Sequence, residues 1–214
     1  MITINQAKQW YPVADAVHGF EHILRVYHLA TRLAIAEGAD IEIVQAAVLL
    51  HDAHGSAGNG TDAHSRANHH FASADFAEEV LSADGWSPDK IAAVKHCIAS
   101  HRFRDNMNQP KSIEAKVLFD ADKLDSIGAI GAARAIAYAA AAQMPFYHPI
   151  SKRFEEEGEV ESGEPHSAYH EHVFKLRHIK SRMFTHTGRQ IAEERHAFLN
   201  QFFETLEAEC KGLK

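Results

Sequence analysis

Apolar side chains recur along this chain at helical spacing from the first third to the last. Phe20, Ile23, Leu24 and Tyr27 share one stripe, and His22, Val26, Leu29 and Leu33 share its neighbour, the three-to-four-residue period of an amphipathic helix. Gly38 supplies a stop for that helix. Asp40 supplies a cap for the next, whose face carries Val44, Ala47, Val48 and His51. Gly55 to Thr61 reads as a flexible loop. A helix from about Asn68 to Leu81 follows, and Asp84-Gly85 turns the chain. Ser87-Pro88 then sets a cap and an N1 proline before a helix reaching about His101. Arg102 to Lys111 reads as a polar loop, and Ser112 as the cap of one long helix through Asp122 to about Ala142. Met144 to Pro165, with Pro145, Pro149, Gly158, Gly163 and three successive glutamates, reads as loop, either a lid or part of an interface. Two more helices are expected, about Ala168 to Met183 and Thr187 to Glu207, the second opened by a capping box of Thr187 and Gln190. Strand signals are weak. The expectation is an all-α fold with an irregular segment near residues 144–165. It forms one domain over residues 1–214, with a core at about 16–142 and C-terminal helices at about 167–208.

Composition narrows what such a fold can do. With 214 residues, 45% of them hydrophobic, the chain can fill a core. A formal net charge of -7 leaves no electrostatic footprint for a nucleic-acid polymer. A phosphate-bearing ligand must then be held by a local basic pocket or by metal, which favours a small nucleotide as partner. Cys97 and Cys210 lie far apart and make neither a disulfide scaffold nor a zinc ribbon. Met1 to Gln6 lacks a basic stretch leading into an apolar core, and no run approaches the ~20 apolar residues a bilayer requires. The reading is a cytoplasmic chain with no membrane partner, and a homo-oligomer stays open. The 17 histidines raise the weight of metal ligation or proton transfer.

Some histidines sit where solubility would not put them. His22 and His51 lie on apolar helix faces, where each is either a hydrogen-bonded core residue or a ligand. Asp52 follows at the C-terminal end of its helix, where the helix dipole opposes an anion unless a cation compensates. A second acidic group, Asp120-Ala121-Asp122-Lys123-Leu124-Asp125, follows the apolar run Val117-Leu118-Phe119. Leu118, Asp122 and Asp125 share one face; Asp120 projects elsewhere, as a solvated or hydrogen-bonding residue. Taken together, His22, His51, Asp52 and the acidic group make a mixed nitrogen and oxygen set suited to Mn, Fe, Ni, Co, Zn or Mg.

These residues in this order, with His18-Gly19-Phe20-Glu21-His22, Leu49-Leu50-His51-Asp52 and Asp120-Ala121-Asp122, resemble the H…HD…D pattern of the HD superfamily of metal-dependent phosphohydrolases. Ile98 to Phe103, Ile127 to Arg134 and Thr187 to Arg195 are similar to a small bacterial branch of it that resembles nucleoside triphosphate pyrophosphohydrolases. The resemblance implies His22, His51, Asp52 and Asp122 as ligands of a divalent metal ion. His18 would contact phosphate or relay a proton, or serve as a cap or surface residue. His101, Arg102 and Arg104 fall where a phosphate-contacting or acid-base group is useful. Lys123 would neutralise a phosphate oxygen or pair with Asp120 or Asp125. Arg25 and Arg134 are weaker substrate-binding candidates, since arginines beside buried acids often act only as ion-pair partners. His54, His64, His69 and His70 lie where two-metal members recruit extra histidines, but His69-His70 reads as a surface pair at a helix start.

The reaction this implies is hydrolysis of a nucleoside triphosphate to the monophosphate and pyrophosphate by a metal-activated water. Asp52 or Asp122 would accept the water's proton, and His101 or His18 would protonate the leaving group. No Gly-rich P-loop is present, which disfavours a GTPase or kinase. The rivals are a phosphomonoesterase or 5'-nucleotidase on the same scaffold, a di-iron oxygenase and a non-enzymatic ligand sensor.

Overall fold

Every regular element among the described residues is helical, as the periodicity predicts. The structure is a computed structural model that describes residues 2–11, 19–53, 63–102 and 108–214, with only the backbone of 63–69. The chain forms two compact units. The first, Met1–Asp122 with Phe184–Gly188, contains α1 (Ile4–Lys8), α2 (Phe20–Glu37), α3 (Ile41–Leu50), α4 (Ala63–Ala83), α5 (Pro88–Ser100) and most of α6 (Ile113–Leu124). The second, Lys123–Met183 with Arg189–Lys214, contains α7 (Gly128–Ala141), α8 (Lys152–Glu157), α9 (Ala168–Phe174), a 3-10 helix (Leu176–Arg182) and most of α10 (His186–Cys210).

In the first unit the local signals act as read. Gly38 ends α2 in the left-handed conformation at φ 70°, with its N–H on the Ala34 carbonyl. The Asp40 carboxylate accepts from the N–H groups of Glu42 and Ile43, and Ser87 caps α5 ahead of Pro88. α3 is apolar on nearly every side, burying Val44, Ala46, Ala47, Val48, Leu49 and Leu50. A helix of that kind belongs inside, and it packs against α1, α2, α4 and α5. The innermost helix of the unit therefore delivers the His51-Asp52 pair.

The structure corrects several boundaries. The single helix expected from Ser112 to Ala142 is two, broken at Asp125–Ile127. Arg195 donates to the Leu124 carbonyl at 2.6 Å, and Arg134 donates to both the carbonyl and the carboxylate of Asp125. Gly128 takes φ 75° against the Arg195 side chain. The loop reading of 144–165 misses the short α8, capped by Ser151. The helix expected over 168–183 is α-helical only to Phe174 and continues as a 3-10 turn. α4 starts earlier than expected and ends at Ala83. The cap expected at Thr187 lies two residues earlier, because Thr185 Oγ1 accepts from the Gly188 N–H at 2.9 Å.

Thr185 is drawn there by Asp120. The Asp120 carboxylate is fully buried, so the solvated alternative gives way to the hydrogen-bonding one. It accepts from the N–H of Phe184 (2.9 Å), the N–H of Thr185 (2.7 Å) and the Thr185 hydroxyl (2.6 Å). A Cβ at Gly188 would overlap that carboxylate. In the second unit Glu164 plays a comparable part, accepting from the Ser151 N–H and hydroxyl and from the Glu161 N–H. The Glu161 amide foremost, with His170 and Ser151, holds its carboxyl down at about 2.

Two stability predictions follow from these contacts. Asp120→Ala strands three donors and costs about 3 kcal/mol or more in urea unfolding, while bound metal stays at the wild-type level; a loss below 1 kcal/mol, or loss of metal in a folded variant, contradicts the clamp. His172 stacks on Phe203 at 4.4 Å and 12°. Burial, with Arg177, His196 and His178 adding positive charge, pushes its ring down to about 4. The unfolded chain then binds the proton first, so stability is full above about 6.5 and falls as the pH drops toward 4. His172→Phe lessens the fall in Tm between pH 7 and pH 5; an unchanged fall refutes this.

Candidate metal centre

α3 ends at Leu50, and the His51 ring beyond it is fully buried. Its Nδ1 donates to the Val48 carbonyl at 2.8 Å. A carbonyl has no hydrogen to give, so Nδ1 carries the ring's proton and Nε2 keeps a lone pair. That Nε2 is buried without a hydrogen-bond partner, and it faces Asp52 Oδ2 at 3.6 Å. His101, two per cent exposed at the end of α5, repeats the device. Its Nδ1 donates to the Ile98 carbonyl at 2.6 Å, and its Nε2 stands 3.6 Å from Asp52 Oδ1. From α2, the buried His22 places Nε2 3.4 Å from Asp122 Oδ1 on α6. The His22 and His51 rings lie 5.7 Å apart, and those of His51 and His101 5.0 Å.

Burial foremost pushes His51 down to about 4, against the pull of Asp52 and Asp122, with His101 and His22 pushing further down. The ring is neutral at physiological pH. A neutral imidazole lone pair aimed at a carboxylate in a dry site is repulsive unless a cation lies between them. Ligand atoms of His22, His51 and Asp52 all fall within 4.8 Å of one another, and nitrogen with carboxylate oxygen suits a divalent transition ion. The residues present fit such an ion. The carbonyl partners of the two Nδ1 atoms make outer hydrogen bonds of the kind that orients histidines in metal sites.

Of the other candidates, Arg25 is half-buried on α2, three residues past His22. Arg102 is half-buried directly after His101, and Lys123 half-buried directly after Asp122. Arg134 is in an ion pair with Asp125 at 2.8 Å, and that pair holds the turn after α6. His18 and Arg104 lie outside the described residues, as do His54 and the side chains of His64 and His69. His70 corrects the surface-pair reading: it is half-buried inside α4, its ring 6.2 Å from that of His101. Sequence reasoning missed Tyr11. Its buried hydroxyl donates to the Leu49 carbonyl at 3.0 Å, steadying the last turn of α3 from 38 residues away. Burial and the nearby Asp52 charge raise its pKa, so it remains a neutral donor. No spacing in the chain signals such a contact.

A helical scaffold that gathers inward-facing imidazoles and carboxylates in this order defines the class of HD-type metal-dependent phosphohydrolases. The HD domain signature matches residues 19–127, and the chain belongs to that family. It is 33% identical over 199 residues to YpgQ of Bacillus subtilis, covering 92% of this chain and 86% of YpgQ. The crystal structure of YpgQ in complex with ADP superposes with a TM-score of 0.72 at 31% identity, covering 99% of this chain and all of that one. An HD-superfamily hydrolase from Bacillus thuringiensis gives 0.71 at 30% identity, over 97% and 94% of the two chains. HD domains bind divalent metal ions, and the donors described here can hold one. Among the described residues no helix is long and apolar enough to cross a membrane.

His51→Leu keeps the volume and removes the lone pair. The expected result is loss of most bound metal by elemental analysis, and a Tm that no longer responds to chelator as the wild type's does. Full metal content in the folded variant overturns the arrangement.

Proposed function

We propose that the chain hydrolyses a small nucleotide, converting a nucleoside triphosphate to the monophosphate and pyrophosphate, with His22, His51, Asp52 and Asp122 as the metal ligands. The observation that carries the ligand set is the buried His51 Nε2, which has no hydrogen-bond partner and faces the Asp52 carboxylate. The nucleotide reading is supported by the ADP complex of YpgQ, and by a net charge of -7 that disfavours a polymer. The one-domain organisation and the cytoplasmic location read from the sequence belong to the same proposal.

A divalent ion held by His22, His51, Asp52 and Asp122 would make water more acidic and offset charge on phosphoryl oxygens. The chain's own groups do the rest. Asp52, with side-chain exposure of 18% and two imidazoles at 3.6 Å, accepts the proton from the attacking water. His101 Nε2 carries a proton to the leaving pyrophosphate, its ring held in register by the Ile98 carbonyl. Lys123, Arg25 and Arg102 supply positive charge to the phosphates, and His18 and Arg104 are further substrate contacts. Arg134 is the least suited, being paired with Asp125. His70, its ring 6.2 Å from that of His101, is the candidate donor for a second ion.

The test is a panel of nucleotides incubated with purified protein and Mn, Mg or Co, with products resolved. Pyrophosphate release from a triphosphate is expected, and Asp122→Ala loses metal and activity together. Inorganic phosphate as the sole product moves the reading to a phosphomonoesterase or 5'-nucleotidase. No release, with wild type and His51→Ala indistinguishable, overturns hydrolysis altogether. Two bound irons would instead favour the oxygenase.

A further inference from the structure

The second unit holds another group of metal-type donors: His148 in the connection after α7, Glu164 between α8 and α9, and His170 in the first turn of α9. We propose that these three side chains form a second metal site, separate from the His51-Asp52 centre, for a divalent ion of the zinc type. Their ligand atoms all lie within 4.8 Å of one another. Two of the three already stand at coordination distance. His170 Nε2 is 3.0 Å from Glu164 Oε1, and two donors each about 2.1 Å from a shared zinc ion lie roughly 2.9–3.4 Å apart.

The ring orientations add an independent argument. His148 Nδ1 donates to the Pro149 carbonyl at 2.8 Å, so its Nε2 bears the lone pair. His170 is fully buried, and its Nδ1 meets Ser167 Oγ at 2.6 Å, an outer hydrogen bond of the kind that aligns a metal-binding histidine. The Glu164 side chain is 7% exposed, and the donors from Ser151 and Glu161 fix its carboxylate. The Phe154 ring, 4.4 Å from that of His170, walls the site on one side.

Without an ion, His170 Nε2–H donates to Glu164. With one, the ion takes the place of that hydrogen. The ring proton then resides on Nδ1 and donates to Ser167 Oγ, so both imidazoles bind as neutral ligands and Glu164 as a carboxylate. His148, whose ligand atom already lies within 4.8 Å of the other two, supplies the third donor and leaves one position for water. Two histidines and a glutamate from three stretches of chain would thereby pin the segment from Met144 to Ala168 without a core of its own.

The experiment is zinc titration of chelator-stripped, full-length protein, read by elemental stoichiometry and by Tm. His148→Ala is the first variant because that side chain is half-buried and breaks no core packing. It is expected to bind one zinc fewer than wild type. Asp52→Ala, crippled at the other centre, still gains Tm on adding zinc, and the Asp52→Ala/His148→Ala double variant does not. Glu164→Gln keeps an oxygen acceptor for Ser151 and also loses the zinc. Equal zinc in wild type and His148→Ala, or an undiminished Tm response in the double variant, overturns the site and leaves a hydrogen-bonded His-Glu-Ser network.

Discussion

The arrangement of the first unit follows from one electrostatic constraint: Asp52 stands at the C-terminal end of a buried helix with the His51 lone pair aimed at it. The helix dipole disfavours an anion there, and His51 Nε2 offers no hydrogen to soften it. Everything nearby fixes that conflict in place. The apolar surface of α3 buries it, the Val48 and Ile98 carbonyls set the tautomers of His51 and His101, and Tyr11 ties the last turn through Leu49. A cation removes the conflict, and no rearrangement of the neutral His51 ring does so as directly.

The same logic separates three acids that stand within six residues of one another. Asp120, Asp122 and Asp125 differ in what reaches them. Asp120 receives three uncharged donors in a dry setting. Asp125 receives the Arg134 guanidinium. Asp122 receives an imidazole nitrogen at 3.4 Å. The last has its carboxylate beside a group of a kind that can also bind metal. The helix places them on different sides, and the partners then decide which is clamp, which is turn and which is the proposed ligand.

How much of this was legible in the chain depends on how far each cause lies along it. Gly38, Asp40 and Ser87 act on neighbours within four residues, so the ends of α2, α3 and α5 could be read directly. His22 and His51 could be singled out because each interrupts an apolar stripe. The break after α6 could not, since its causes are Arg134 and Arg195, nine and 71 residues from the carbonyls they hold. Asp120 stayed undecided between a solvated and a hydrogen-bonding residue because its donors arrive from Phe184 and Thr185, and Tyr11 carried no signal at all. The long-range polar contacts were hidden; the apolar pattern was not.

The two histidine-carboxylate groups in this chain look alike in composition and differ in hydrogen accounting. At His51 the buried nitrogen has no donor or acceptor to satisfy it, so the group is incomplete as protein alone. At His170 every ring nitrogen is already engaged, by Ser167 on one side and Glu164 on the other, so an ion must displace a working hydrogen bond of 3.0 Å. The first group should therefore hold its metal more tightly than the second, even where the donor types match. Affinity in such sites depends on what the donors would otherwise do as much as on which donors they are.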